Sequence, residues 1–133
     1  MSTTKSGQDL YNRAKKIIPG GTGLLSKRPE MYLPNGWPAY YSWAKGALVC
    51  DLDGNQYFDF TTNGVGASIL GYANDEVNSA VAKAYSQGNM TTLNAPEEVD
   101  LAEKLIMRHP WAHMVRFGRT GGETCAMAAR IAR

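Results

Sequence analysis

The stretch from Val115 to Arg133, VRFGRTGGETCAMAARIAR, constrains the fold more than any other part of the chain. Val115 and Phe117 form a short apolar run, a turn with Gly118, Gly121 and Gly122 follows, and the Ala-rich remainder is made of good helix formers. That order predicts strand, tight loop, helix. A buried strand needs partners for its backbone N–H and C=O groups. The segment therefore predicts an α/β architecture whose remaining sheet neighbours these 133 residues do not supply.

The loop also points to chemistry. A helix N-terminus carries unsatisfied N–H groups and the positive end of a dipole, and small residues before it let the backbone close on an anion. Thr120, Gly121 and Gly122 are the candidate phosphate cradle, with the hydroxyl of Thr120 or Thr124 as an added donor. Two nucleotide-binding patterns do not fit. No Lys-Ser/Thr pair follows Gly122, and GRTGGE lacks the GxGxxG spacing. Taken alone, the turn reads first as a plain connection between strand and helix.

Upstream, Ser6 to Ile18 is expected to be a short amphipathic helix, with Ser6 and Asp9 as a capping box and Pro19-Gly20-Gly21 ending it. Gly20 to Pro38 is rich in Gly and Pro and is expected to be a long loop. Short runs at Tyr40–Trp43, Ala47–Leu52 and Gln56–Phe60 read as strands, and Asp53-Gly54-Asn55 is a strong hairpin signal, so an antiparallel meander is predicted. Helices are expected from Asn74 to Gln87, with Asn74 as N-cap, and from Pro96 to just before Pro110. The three glycines of Thr61–Gly71 exclude a regular helix throughout that segment.

Charge and composition exclude some functions. The net charge is +2, and no basic run exceeds a pair, so nothing argues for nucleic acid or an anionic membrane. The N-terminus is polar, no apolar run reaches membrane-spanning length, and the cytoplasm is the expected compartment. Cys50 and Cys125 have no metal-type spacing and are read as two reduced thiols, a disulfide between them remaining open on sequence alone. His109 and His113 are four apart, but Pro110 breaks any shared helix face, so no metal site is expected. Asp51, Asp53 and Asp59 surround a turn that already explains Asp53. Trp37, Tyr40, Tyr41 and Trp43 read as packing residues of the meander rather than a stacking platform for a ligand.

Four stretches, IIPGGTG, GALVCDLDGNQYFDF, ILGYANDEV and VRFGRTGGETCAMAARIAR, occur in an order that resembles the class III pyridoxal-phosphate-dependent aminotransferases, and most closely their glutamate-1-semialdehyde 2,1-aminomutase-like branch. The resemblance runs from Leu10 onward and covers only about the first third of a family member. It implies the type I (aspartate aminotransferase-like) fold of pyridoxal-phosphate enzymes, here as an N-terminal fragment: helix, antiparallel β-meander, then the start of the large α/β domain. Residues 1–71 would belong to the small domain and 72–133 would begin the large, cofactor-binding one.

The resemblance further implies that Thr120, Gly121 and Gly122 bind the phosphate of pyridoxal 5'-phosphate. Gly122 stands where many members carry a hydroxyl, so its contact would be through the backbone. Glu123 matches the family's first-turn glutamate, either at the site or simply as a charge suited to a helix start. The loop Asn63 to Ser68 matches the substrate-pocket region, making Asn63, Gly64 and Val65 candidates; Val65 replaces an aromatic residue of the aminomutase branch. Lys27 or Arg28 matches a position that reaches a substrate carboxylate, and Arg28 is the candidate carried forward, with a solvated surface pair as the plainer explanation.

Implied too are a small-molecule amino donor, a carbonyl acceptor, and a homodimer of the intact protein. The Schiff-base lysine and the acid that keeps the pyridine nitrogen protonated lie later in family members. The chain alone is therefore expected to be inactive, with no catalytic residue of its own. The alternative is a non-catalytic binding or assembly fragment that supplies the phosphate loop to a partner chain.

Overall fold

The structure, a computed structural model, describes residues 5–61, 64 and 66–133. Its elements are α1 (Lys5–Ile17), β1 (Tyr41–Lys45), β2 (Leu48–Asp51), β3 (Gln56–Phe58), α2 (Asp75–Ser86), α3 (Pro96–Arg108) and α4 (Gly121–Ile131). Short 3-10 turns at Leu25–Lys27 and Pro29–Met31 interrupt the long loop after α1. Two compact units divide the chain, Met1–Gln87 and Gly88–Arg133.

The first unit is built on the meander. β1 and β2 pair antiparallel with Lys45 opposite Leu48, and β2 and β3 pair with Cys50 opposite Gln56, giving the order β1-β2-β3. A bulge between Tyr41 and Trp43 leaves Ser42 unpaired in the ladder, and its hydroxyl donates to the Asp51 carbonyl at 2.8 Å. The hairpin turn is organised by Asp51, which is 3% exposed. Its carboxylate accepts from the backbone N–H groups of Asp53 and Asn55, the Asn55 side-chain amide and the Tyr57 hydroxyl. A carboxylate so fully used for hydrogen bonding is a structural group, not half of a hydrolytic pair.

α1 begins at Lys5, and its first turn is not closed by Asp9 as the sequence suggested. Ser6 donates through both its backbone N–H and its hydroxyl to Asp53, across the fold. A carboxylate at that end satisfies an orphan amide and suits the helix dipole, so the hairpin turn itself caps α1. Gly7 is buried against the chain at Ala39, where a Cβ would sit 3.3 Å from the amide nitrogen. The Gln8 amide donates to the Trp37 carbonyl at 2.6 Å. Tyr11, Ala14, Cys50 and Pro29 are the buried apolar residues among the described residues of this unit. Trp37 stacks on Tyr32, with ring centroids 4.3 Å apart, rather than on the strand aromatics.

After β3 the chain returns to the hairpin through reciprocal 2.8 Å hydrogen bonds between Gly46 and Tyr72. Gly71 (φ +85°) permits this approach, since a Cβ would lie 3.1 Å from the Gly46 Cα. The Tyr72 hydroxyl donates to Asp59 at 2.5 Å. α2 starts as its sequence predicts, with the Asn74 side chain accepting from the Val77 N–H at 3.1 Å.

In the second unit, α3 opens on Pro96 with Glu97 and Glu98 in its first turn and closes on His109 just before Pro110. The expected strand at Val115–Phe117 is not formed. Residues 114–118 have no regular structure, and no described strand pairs with them. The reason is the one the sequence raised: an isolated strand gains nothing without a ladder. Val77, Val81 and Tyr85 on α2, and Val99 and Leu101 on α3, remain exposed. The periodicity of these helices is real, but the faces it creates are covered only in part: Ala102, Leu105 and Ile106 of α3 are half-buried, Ala102 and Ile106 beside Val115 and Phe117. Cys50 is buried in β2 and Cys125 exposed on α4, both as free thiols.

Candidate functional site

The first turn of α4 is the best-built feature of the second unit. Thr120 is its N-cap, with extended backbone (φ −136°, ψ 156°) and its Oγ1 accepting from the Glu123 N–H at 3.2 Å. Glu123 reaches back, its carboxylate accepting from the Arg119 N–H at 2.9 Å. This is a capping box displaced by one residue at its carboxylate end. Glu123 is therefore occupied in closing the helix. The Thr124 hydroxyl donates to the Thr120 carbonyl at 2.9 Å, so it does not supply the extra anion donor that the sequence left open.

What the box leaves over is informative. The N–H groups of Gly121 and Gly122 have no hydrogen-bond partner among the described residues, and a Cβ on either glycine would meet nothing within 4 Å. Two adjacent unpartnered amides thus face open space at the positive end of an 11-residue helix. The Thr120 hydroxyl accepts from Glu123, which leaves its proton free to donate outward. Gly118 holds the turn close to α4, because a Cβ there would come within 2.5 Å of the Thr124 Oγ1. The arrangement presents amide donors to an anion with no side chain in the way.

Arg28, in the first unit, lies in the loop after α1. Its guanidinium rests on Gly20, where a Cβ would be 2.2 Å from one terminal nitrogen. Its Nε is buried without a partner. Beside it, the Tyr11 hydroxyl donates to Glu30 at 2.9 Å, with the Gly20 carbonyl 3.3 Å away as a second, weaker acceptor of the same proton. Lys15 lies 3.8 Å from Glu30 and 4.8 Å from the Tyr11 ring centroid. Burial, and then the Glu30 carboxylate, push the Tyr11 hydroxyl above the ordinary phenol pKa. Glu30's own backbone N–H, followed by the Tyr11 hydroxyl, holds that carboxyl below its ordinary value.

Gly64 lies in a turn with φ +69°, while Asn63 and Val65 fall outside the described residues. Thr120, Gly121 and Gly122 come together in one turn, whereas Arg28 and Gly64 belong to the other unit. Tyr11 and Glu30 escaped the sequence reading. Tyr11 looks like one more apolar-face residue of α1, and nothing in its spacing to Glu30 announces a hydrogen bond. No group of His, Cys, Asp and Glu suited to a metal occurs among the described residues, and no described helix is long and apolar enough to cross a membrane.

Comparison with known proteins gives this geometry a context. The family model described as Aminotransferase class-III matches residues 33–133. A glutamate-1-semialdehyde 2,1-aminomutase of Leptospira interrogans is 34% identical over 129 residues, covering 97% of this chain and 28% of the relative. A 3-aminobutyryl-CoA aminotransferase of Cloacimonas acidaminovorans is 33% identical, covering 93% of this chain and 30% of the relative. Among solved structures, an omega-transaminase from Sphaerobacter thermophilus superposes with a TM-score of 0.82 at 32% identity, over 96% of this chain and 28% of its own. A transaminase with PLP bound superposes at 0.84 and 33% identity, over 100% of this chain and 30% of its own. The chain thus spans under a third of the length of these relatives.

The family's cofactor is pyridoxal phosphate, and the α4 turn fits its phosphate end. It offers unpartnered amides at a helix N-terminus, a hydroxyl with a free proton, and no obstructing Cβ.

Proposed function

The chain belongs to the class III aminotransferases, and on that premise we propose that the intact protein is a pyridoxal-phosphate-dependent aminotransferase or aminomutase. It moves an amino group from a small amino compound to a carbonyl compound. The observation that carries this reading is the pair of unpartnered amides at Gly121 and Gly122, within the segment the family model matches.

The phosphate is held by the N–H groups of Gly121 and Gly122 and by the Thr120 hydroxyl. The helix dipole adds roughly 0.3–1 kcal/mol to each such charge interaction at an exposed site, so the hold comes from several modest contacts acting together. Glu123 keeps the turn closed through Arg119 and does not touch the anion. When bound, the cofactor supplies an electron sink for the bond changes at the amino carbon. This chain's share is binding and orientation; the residue that joins the cofactor covalently belongs to another part of the intact protein.

In the first unit, Arg28 receives a substrate carboxylate, and Asn63, Gly64 and Val65 line the substrate pocket. Residues 1–71 form part of a small domain and 72–133 open the large one. The intact protein works as a homodimer in the cytoplasm. Relatives named both as aminotransferases and as aminomutases support a reaction of either type. The reading as a non-catalytic assembly fragment draws no support from relatives that are named as enzymes.

The test is to express the intact protein with pyridoxal phosphate and assay amino transfer from a panel of amino acids to 2-oxo acids by product analysis, with isomerisation of an amino aldehyde in parallel. Turnover that needs added pyridoxal phosphate is expected. A folded protein that neither retains the cofactor nor turns over any of these pairs would overturn the proposal.

A further inference from the structure

Arg28 poses a problem of charge. It is an arginine with a buried, unpartnered Nε, and its guanidinium makes no hydrogen bond to any described residue. Yet Glu30, the obvious neutralising carboxylate, is only two residues away. An arginine and a nearby carboxylate ordinarily close into a charge-assisted pair. Here the Arg28 charge still acts on the carboxylate, but its hydrogen bond goes to the Tyr11 hydroxyl at 2.9 Å and its ion pair to Lys15 at 3.8 Å. Tyr11 is itself fixed. It is 3% exposed, its hydroxyl also reaches the Gly20 carbonyl, and a Cβ on Gly21 would press within 2.5 Å of its ring. Pro29, between the two charges, is fully buried, which limits how far Glu30 can swing.

We propose that Tyr11, assisted by Lys15, is a positioning residue that sequesters Glu30 and so keeps the Arg28 guanidinium free for the carboxylate of an external ligand. The device rests on the reading of Arg28 as the carboxylate contact and adds what makes that contact available. Without the Tyr11 hydroxyl, Glu30 would turn to Arg28 and compete with the ligand as an internal carboxylate. Lys15 alone is a weak hold, because exposed pairs contribute little. The Tyr11 bond is the stronger restraint, since its acceptor is charged.

The experiment uses the intact protein with two matched amines, 3-aminobutyrate and 2-aminobutane, which share a skeleton but differ in the carboxylate. The dissociation constant of butyrate is measured alongside, by calorimetry. Tyr11→Phe keeps the packed ring and removes only the hydroxyl. It is expected to weaken butyrate binding and raise the KM for 3-aminobutyrate about tenfold, the scale of one charge-assisted contact, leaving kcat and the use of 2-aminobutane unchanged. Adding Glu30→Gln to Tyr11→Phe removes the competing charge and should restore binding to near the starting value. A merely structural role for Tyr11 would not be rescued in this way.

Loss of both amines alike, failure of the double variant to recover, or no effect of Tyr11→Phe overturns the proposal. Arg28→Ala separates the two layers. If it leaves butyrate binding intact, the reading of Arg28 as the carboxylate contact fails. If it abolishes binding while Tyr11→Phe does not weaken it, only the sequestering role fails.

Discussion

Thr120 and Glu123 close the first turn of α4 between them. The threonine Oγ1 accepts from the Glu123 N–H at 3.2 Å, and the glutamate carboxylate turns back to the Arg119 N–H at 2.9 Å. With these side chains occupied, the donors of the turn left without a partner among the described residues include the amides of Gly121 and Gly122, side by side. The cap and the proposed anion site are one piece of structure.

Removing the cap should therefore loosen both. Thr120→Ala is expected to destabilise the folded state by about 1 kcal/mol, the usual cost of a lost N-cap, and to weaken pyridoxal phosphate binding as well. Thr120→Ser should retain both properties. Urea denaturation and cofactor titration of the intact protein, run on the same preparations, check this.

The two glycines allow a cleaner separation of helix from ligand. Proline is tolerated at the first helical position, and the extended backbone of Thr120 is what a residue before proline requires. Gly121→Pro should therefore keep the helix but delete one anion donor, weakening cofactor binding about tenfold, as for the loss of one hydrogen bond to a charged group. Gly122→Ala has open space for its methyl group and keeps its N–H. It should leave binding intact and stabilise the helix by up to about 1 kcal/mol. Equal loss of binding in both variants would contradict backbone recognition.

The meander and the helices were legible because local signals decide them. Asp53-Gly54 set the hairpin, Asn74 capped α2, and Pro96 and Pro110 bracketed α3. The start of α4 was legible for the same reason. Thr120, Gly121 and Gly122 are consecutive, and a helix start is a local event. What could not be read were the contacts over long sequence separations. Ser6 pairs with Asp53 rather than Asp9, and Tyr11 with Glu30, and no spacing rule encodes either. The strand expected at Val115–Phe117 failed for the opposite reason: local propensity favours it, but a strand exists only with a partner.

Asp51 should govern stability in acid. Burial pushes its carboxyl up, but the hydrogen bonds from Asn55, Tyr57 and Asp53 outweigh that and leave it below the ordinary value. A depressed folded-state pKa contributes stability that is complete above the unfolded value of about 4 and is lost as pH falls through the folded one. Asp51→Ala strands several half-buried donors and should cost about 2 kcal/mol at neutral pH. It should also flatten the fall in stability below about pH 4. Denaturation midpoints between mildly acidic and strongly acidic buffers measure both effects.

Tyr72 should act at the other end of the scale. The hydrogen bond to Asp59, then burial, pushes its hydroxyl up to about 12. A raised folded-state pKa contributes stability that is complete below the unfolded value of about 10 and is lost as pH rises through the folded one. Tyr72→Phe should remove that contribution, so wild type and variant converge in stability under strongly alkaline conditions. A gap between them that persists unchanged at high pH would contradict the Tyr72–Asp59 bond.

The central claim is that the turn from Thr120 to Gly122 holds the phosphate of pyridoxal phosphate, and phosphorus NMR of the intact protein with the cofactor addresses it most directly. A phosphate held by amides at a helix start and shielded from exchange should give a resonance whose position does not move between mildly acidic and mildly alkaline pH. Gly121→Pro should shift that resonance, whereas Gly122→Ala should leave it nearly in place. A resonance that titrates like free pyridoxal phosphate, or one that is indifferent to both substitutions, would contradict the claim.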